Sequence, residues 1–75
     1  MKIKVQLYGV FRSCAPDPSF SREVAEGTTV EGLMDSLQLP DKVYRMALVN
    51  DIRVQEDVVL KEYDVVQIFQ PVGGG

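Results

Sequence analysis

The amino-acid sequence predicts a small α+β domain in which one helix crosses one face of a mixed β-sheet. Short alternating or apolar stretches near both ends of the chain are typical of strands. A single amphipathic stretch near the middle is typical of a helix. The chain has 75 residues, which leaves room for one domain only. The predicted order of elements is strand, strand, helix, strand, short strand, strand.

The first two strands are predicted from the alternation of their side chains. Residues 2–8 place polar side chains on one face and three aliphatic side chains on the other, namely Ile3, Val5 and Leu7. Val10 and Phe11 are expected to continue this core face. After a turn rich in proline and serine, residues 20–25 alternate again and are predicted to form a hairpin with the first strand.

The helix is predicted by a capping motif and an apolar stripe. Thr28 and Glu31 match the capping box, in which each side chain accepts a hydrogen bond from the other residue's backbone N–H. The stripe has the spacing i, i+3, i+4, i+7 and consists of Val30, Leu33, Met34 and Leu37. Pro40 is expected to end the helix after about three turns. Gly32 lowers helix propensity, so a close neighbour is expected beside it.

Two further strands and a loop are predicted between the helix and the end of the chain. Residues 45–50 read as a short strand that turns at Asn50 and Asp51 and returns over residues 52–54. Residues 58–60 are apolar and are expected to fill the core beneath a loop. The acidic residues around them, Glu56, Asp57, Glu62 and Asp64, are interpreted as solvated turn residues without a calcium-binding role.

The last strand covers residues 65–69, which are rich in Val, Ile and Phe. Val66 and Ile68 are predicted to face the helix, and this leaves Phe69 half exposed on the other face of the sheet. The first and last strands can lie side by side in the middle of the sheet while the helix crosses one face. This arrangement is a β-grasp fold.

The chain then runs almost directly into three glycines. Pro71 ends the strand pairing because proline has no N–H to donate. The predicted domain therefore covers residues 1–72, and residues 73–75 form a thin, mobile tail of glycines. Such a tail could carry a carboxyl group into the active site of another protein. It could also be a frayed end or the remnant of a linker.

Composition and charge narrow the possible partners. The formal net charge is −3 and the basic residues are scattered, so no nucleic-acid partner is predicted. The apolar runs are far shorter than a membrane-spanning helix. The alternating N-terminus does not match a signal peptide, so we expect a cytoplasmic protein with no membrane partner.

The residues needed for independent catalysis are scarce. The chain contains no histidine, which removes histidine-based nucleophilic catalysis and histidine zinc sites. No metal site and no phosphate-binding glycine loop is predicted. Cys14 is the only cysteine and is interpreted as incidental. The chain is therefore expected to be non-catalytic on its own.

The whole chain resembles the ubiquitin-like sulfur carriers, a family of MoaD-like and ThiS-like proteins. The segments that carry this resemblance are residues 3–7, 8–12, 28–33, 49–50 and 68–75. The resemblance is strongest to the small subunit of molybdopterin synthase, whose tail typically reads Phe-Pro-Pro-Val-x-Gly-Gly. This chain departs from that pattern at Gln70, where proline is common, and at residues 62–64, where Asp-Gly-Asp is usual.

The resemblance implies that Gly75 is the reacting residue. Its carboxylate would be adenylated and then converted to a thiocarboxylate that donates sulfur in molybdopterin biosynthesis. The other tail and partner-binding residues implied by the resemblance are Gly74, Gly73, Val72, Pro71 and Phe69. Phe69 and Val72 would contact the partner, while the glycines would pass through a channel too narrow for a side chain.

Two partners are implied by the same resemblance. A MoeB-like adenylyltransferase of the ubiquitin-activating type would use ATP and Mg²⁺ to activate the carboxylate, and the chain itself would bind no cofactor. A MoaE-like large subunit would receive the sulfur within a heterotetramer. The alternatives are a sulfur carrier for thiamine-thiazole or another pathway, a ubiquitin-like protein modifier, and a plain β-grasp interaction domain.

Overall fold

The computed structural model describes residues 1–37, residue 39 and residues 45–70. Five strands form one sheet: β1 (Lys2–Leu7), β2 (Ser19–Glu23), β3 (Met46–Val49), β4 (Ile52–Val54) and β5 (Val65–Phe69). One α-helix, α1 (Val30–Ser36), follows β2. A short 3-10 helix over Gly9–Cys14 connects β1 to the turn before β2.

The strand order confirms the predicted α+β, β-grasp class. The sheet order is β2-β1-β5-β3-β4, with β5 at the centre. The first and last strands, β1 and β5, lie side by side and run parallel, whereas the other pairs are antiparallel. A parallel pair needs a long crossover connection, and here that connection contains α1.

The hydrophobic core lies between the sheet and α1. The predicted helical stripe is confirmed, since all four of its side chains are buried. The sheet contributes the predicted aliphatic positions of β1 and β5, namely Ile3, Val5, Leu7, Val66 and Ile68, all of which are buried. Full burial of such side chains contributes about 1.5–3 kcal/mol each, so this layer supplies most of the stability of a small domain.

The predicted capping box is wrong at the start of α1. The N-cap is Thr29, whose Oγ1 accepts a hydrogen bond from the backbone N–H of Gly32 at 3.1 Å. Thr28 lies one residue before this N-cap, and its hydroxyl donates to the carbonyl of Ala25 at 2.6 Å while its backbone N–H bonds to the same carbonyl. Glu31 is therefore the second helical residue and not the third, so no reciprocal bond forms.

The end of α1 also comes earlier than predicted. The helix ends at Ser36 after seven residues, about two turns instead of three. The Ser36 hydroxyl donates to the carbonyl of Leu33 at 2.7 Å, and such local bonds compete with helix propagation. The N–H of Leu37 bonds to the carbonyl of Met34 and closes the last turn. Pro40, the expected terminator, lies outside the described residues.

Three further expectations about single side chains are wrong. Val10 is 48% exposed, because the chain forms a 3-10 helix there in which Phe11 is the fully buried side chain. Val59 is also exposed. Its backbone forms a single bridge with Thr29, and Leu60 is the fully buried side chain of its segment. A Cβ on Gly32 would meet its nearest neighbour at 3.4 Å, an ordinary contact, so no close neighbour explains this glycine.

The turns around β5 depend on two side chains. The predicted turn at Asn50 and Asp51 is confirmed, and both residues have positive φ angles of 53° and 68°. The Asn50 side chain accepts a hydrogen bond from the backbone N–H of Val65 at 3.0 Å and donates to Asp64 at 2.9 Å. Asp64 also accepts from the backbone N–H of Lys61 at 2.8 Å. Asp64 is thus structural, contrary to the prediction of a solvated turn residue.

Glu56 and Glu62, which were also expected to be solvated, both make structural contacts. Arg45 bonds to Asp35 of α1 at 3.1 Å and to Glu56 at 3.2 Å, so it ties the helix to the loop after β4. Burial alone would lower the pKa of Arg45, but the hydrogen bonds and charges of these two carboxylates raise it above its ordinary value. Glu62 accepts a hydrogen bond from the backbone N–H of Lys2.

Replacing the asparagine of this turn is expected to destabilise the domain. Asn50→Ala removes two side-chain hydrogen bonds and places alanine at a positive φ, so we expect a loss of about 2 kcal/mol in the free energy of unfolding. Urea denaturation measures this loss. Asn50→Gly removes the same bonds without the φ cost and should lose less. Equal losses in both variants would contradict a cost from the positive φ.

Candidate functional site at the end of the central strand

Strand β5 brings the candidate site to the middle of the sheet. Val66 and Ile68 are fully buried beneath α1, and Phe69 is half-buried on the opposite face, as predicted. Val65 and Gln67 share that opposite face, which we call the outer face. β5 is hydrogen-bonded to strands on both sides, so the last residue of the strand has a fixed position.

A cluster of polar side chains on the outer face was not predicted from the sequence. Gln67 Nε2 donates to Gln6 Oε1 at 3.0 Å and to the Tyr8 hydroxyl at 3.1 Å. The Tyr8 hydroxyl lies 3.2 Å from Gln6 Oε1 and donates to it. Gln6 and Gln67 lie opposite each other in the parallel β1–β5 pair, so the strand register brings them together. The cluster holds Tyr8 beside the end of β5.

An open cleft of about 380 Å³ lies next to this cluster. It is lined mainly by apolar atoms of six residues: Tyr8, Gly9, Leu48, Gln67, Phe69 and Gln70. Gly9 has a φ of +59°, which L-residues adopt at a cost, and it turns the chain after β1 at the edge of the cleft. The cleft therefore borders the point at which the chain continues from Gln70 into residues 71–75.

The outer face also carries positive charge, although the whole chain is acidic. Lys4 lies opposite Val65, and Arg53 lies opposite Leu48 in the antiparallel β3–β4 pair. Both cationic side chains are exposed. Lys2 lies on the same face, opposite Glu23 of β2. The strands of the outer face thus combine an apolar cleft with three cations and one carboxylate, which fits an acidic partner surface with an apolar centre.

One of the six predicted site residues, Phe69, lies within the described residues, and its role in binding stays a prediction. The other five lie outside them: Pro71, Val72, Gly73, Gly74 and Gly75. The boundary between residues 72 and 73 lies outside them as well, so the division into domain and tail also stays a prediction. The described residues show only where the chain enters this segment, directly after β5.

A metal-binding cluster and a membrane-spanning helix are both absent from the part of the chain that the structure describes. Across residues 1–37, 39 and 45–70, no group of three or more His, Cys, Asp or Glu side chains is placed to hold a metal ion. None of the helices described there is long and apolar enough to cross a membrane. Cys14 is half-buried and packs against the core near β2, far in sequence from the end of β5.

Solved structures similar to this chain include subunits of molybdopterin-converting factors and small archaeal modifier proteins. The putative molybdopterin converting factor, subunit 1, from Pyrococcus furiosus is 28% identical, with a TM-score of 0.83 over 96% of this chain and 99% of that one. SAMP1 from Haloferax volcanii is 19% identical, with a TM-score of 0.77 over all of both chains. The complex of subunits 1 and 2 of the molybdopterin-converting factor from Helicobacter pylori contains a match that is 22% identical, with a TM-score of 0.67 over all of both chains.

Sequence comparison gives the family. A search of curated proteins finds no significant match. The model of the ThiS family matches residues 5–75, almost the whole chain, including the three C-terminal glycines. The fold described above is that of the ubiquitin-like β-grasp proteins among its structural neighbours. The chain belongs to the ThiS family and has the ubiquitin-like fold of the sulfur carriers.

Proposed function

We propose that this chain is a sulfur carrier that works through a C-terminal thiocarboxylate on Gly75. The observation that supports it best is the family match, which extends through all three glycines. A free α-carboxylate has a pKa of about 3.5, so it is ionised at neutral pH and is a poor electrophile. The proposal therefore assigns the activation of this carboxylate to a second protein.

The proposed activation has two steps. A MoeB-like adenylyltransferase of the ubiquitin-activating type transfers AMP from ATP, with Mg²⁺, to the Gly75 carboxylate and releases pyrophosphate. A hydrosulfide ion then attacks the acyl carbon, AMP leaves with the electron pair of the broken C–O bond, and the S–H proton is lost to solvent. The product is a thiocarboxylate, which is the sulfur donor. Because the first step consumes ATP, the proposed place of reaction is the cytoplasm.

The proposed acceptor pathway is molybdopterin biosynthesis. The Pyrococcus furiosus protein that is 28% identical has the name of a molybdopterin converting factor subunit. The Helicobacter pylori neighbour is a complex of subunits 1 and 2 of such a factor, which supports a MoaE-like large subunit as the partner here. In this proposal Phe69 and the outer-face cleft pack against the large subunit, and the synthase is a heterotetramer.

The glycines have a steric role in this proposal. Gly73 and Gly74 have no side chains, so they allow the thiocarboxylate to enter a narrow active-site channel of the large subunit. Val72 and Pro71 contact the mouth of that channel. Tyr8 and Gln67 line the same cleft as Phe69, and the polar cluster holds both of them there.

A protein modifier is the second candidate function. The observation that favours it is the similarity to SAMP1, a small archaeal modifier protein, with a TM-score of 0.77. In this case a lysine amine of a target would attack the activated Gly75 carbonyl and form an isopeptide bond. The matching ThiS family model also leaves a thiamine-thiazole carrier as an alternative acceptor pathway.

Intact-mass spectrometry tests the proposal. The protein is purified from a host that expresses a cognate adenylyltransferase and a sulfur source. A mass increase of one oxygen-to-sulfur exchange, lost in a variant without Gly75, is the expected result. Conjugates that share a C-terminal glycine–lysine linkage would identify a modifier instead. An unchanged mass after incubation with ATP, Mg²⁺, the activating enzyme, the sulfur source and candidate target proteins would overturn both functions.

The acceptor is tested separately with the thiocarboxylate form. Mixing it with a MoaE-like large subunit and the pterin precursor should return the mass to that of the carboxylate form. A thiazole synthase supplied with its own substrates is the comparison. If the thiazole synthase consumed the thiocarboxylate and the MoaE-like large subunit did not, the chain would act in thiamine synthesis instead.

Replacing the cysteine is expected to leave this chemistry intact. Cys14→Ser should give the same mass increase as the chain that retains the cysteine, because the thiol packs against the core and lines the cleft beside Phe20 and Arg22 of β2. Intact mass after the same incubation measures this. A variant that folds but gains no sulfur would show that the thiol takes part in the transfer.

A further inference from the structure

Strand β2 is an edge of the sheet, and no other strand of the described residues pairs with its outer side. Met1 and Val24 exchange two backbone hydrogen bonds, and the N–H of Leu7 donates to the carbonyl of Pro18 at 2.7 Å. Antiparallel ladders alternate between bonded and non-bonded pairs, so the residues of β2 that bond to β1 are Phe20 and Arg22.

The backbone groups of Ser21 and Glu23 therefore point away from β1. Neither residue's N–H or C=O has a hydrogen-bond partner within the described ranges of the chain. The N–H of Ser19 also points outward, but it donates to Asp17 Oδ1 at 2.9 Å. The edge thus offers four backbone groups, two donors and two acceptors, at the spacing that an added strand uses.

An open cleft of about 500 Å³ runs beside this edge on the helix side of the sheet. Its apolar lining comes from three elements: Phe20 of β2, Leu37 at the end of α1, and Ala15 and Pro16 of the turn before β2. A volume of this size holds several aliphatic side chains. The other edge, β4, is only three residues long and would form fewer hydrogen bonds with an added strand.

Arg22 is the cationic residue of this cleft, and Asp17, which accepts from the N–H of Ser19, is the acidic residue of its lining. Its guanidinium donates to the Ser36 hydroxyl at 3.1 Å and lies 5.8 Å from the centre of the Phe20 ring. No ion pair of Arg22 occurs among residues 1–37, 39 and 45–70. The guanidinium is thus held in place by neutral groups, and its charge is available to a carboxylate of a partner.

We propose that the β2 edge binds an extended segment of a partner protein as an added strand, with an acidic side chain beside Arg22. The partner's backbone bonds to Ser21 and Glu23. Side chains two positions apart on a strand share a face, so an apolar residue lies over Phe20 when an acidic residue faces Arg22. The recognised segment is therefore extended, with an acidic and an apolar residue separated by one position.

A second copy of this chain fits the edge less well. A β2 strand offers Phe20 as its single aromatic or aliphatic side chain, so it would leave the cleft partly empty. Two antiparallel β2 strands centred on Ser21 would also place Glu23 opposite Ser19, whose N–H is already bonded to Asp17. The proposed site is separate from the C-terminal chemistry, so it does not depend on the proposed function.

The test uses the full ¹⁵N-labelled chain and a synthetic peptide of alternating threonine and valine with aspartate in place of one valine. The expected result is a saturable change in the amide signals of Ser21 and Glu23, together with slower hydrogen exchange at both amides. A peptide with lysine in place of the aspartate should bind roughly three- to tenfold more weakly. The aspartate peptide methylated on alternate backbone nitrogens should not bind.

Two variants locate the binding. Ser21→Pro removes an outward N–H and leaves the bonds from Phe20 and Arg22 to β1 in place, so it should abolish binding. Arg22→Gln keeps the edge and should erase the preference for aspartate over lysine. Thermal unfolding confirms that each variant is folded, and Arg22→Gln remains a sufficient test where Ser21→Pro does not fold.

Four results would overturn the proposal. The first is the absence of saturable changes in the amide signals at millimolar peptide. The second is a set of signal changes confined to the outer face around Phe69, and the third is a peptide affinity that neither variant alters. The fourth is a change in the signals of Ser21 and Glu23 with protein concentration in the absence of peptide, which would assign the β2 edge to a second copy of the chain.

Discussion

Removal of Gly74 and Gly75 is expected to abolish sulfur loading completely while the free energy of unfolding changes by less than about 0.5 kcal/mol. The loss of function follows from the proposed chemistry, since the activated carboxylate belongs to the last glycine. The unchanged stability follows from the core, because the last buried side chain of the described residues is Ile68. Intact mass measures sulfur loading and urea denaturation measures the free energy of unfolding, each for the full chain and for the chain without Gly74 and Gly75.

A matched variant tests the need for a glycine in the tail separately from the need for the terminal carboxylate. Gly74→Ala retains the terminal carboxylate and adds one methyl group. It should still be adenylated to some extent, but it should deliver sulfur more slowly if a narrow channel selects for glycine. A fall of several kcal/mol in the stability of the deleted protein would contradict the independence of domain and tail. Normal loading without the two glycines would contradict the role of Gly75.

The periodic parts of the fold could be predicted because side-chain spacing determines which face is buried. The stripe of α1 and the alternation of β1 and β5 led directly to the buried side chains observed. The start of α1 could not be predicted so well, because two threonines stand next to each other. Which of them caps the helix depends on the carbonyl of Ala25, a contact made only after the preceding turn has formed.

The candidate site could be predicted only in part, for a related reason. The half-exposed position of Phe69 follows from alternation along β5 and is confirmed. The cluster of Gln6, Tyr8 and Gln67 depends on the register of a parallel pair between residues about sixty positions apart. Alternation places each of these side chains on the outer face, but it gives no information about which ones meet across strands.

The two faces of β5 are expected to respond in opposite ways to truncation. Ile68→Ala removes a fully buried side chain and should lower the free energy of unfolding by about 2–5 kcal/mol. Phe69→Ala removes a half-exposed ring and should cost less stability, but it should weaken binding to the large subunit about tenfold or more. Urea denaturation and calorimetric titration with the large subunit measure the two quantities.

Two controls complete this comparison. Val65→Ala truncates a side chain on the same outer face that does not line the cleft, so its effect on binding should be much smaller than that of Phe69→Ala. Ile68→Val should cost only about 0.5–1.5 kcal/mol and keeps the comparison possible where Ile68→Ala unfolds the domain. Equal losses of binding in Val65→Ala and Phe69→Ala would mean that the cleft is not the contact. A Phe69→Ala protein with normal affinity would remove the outer face from the proposed interface, and docking would then depend on residues 71–75 alone.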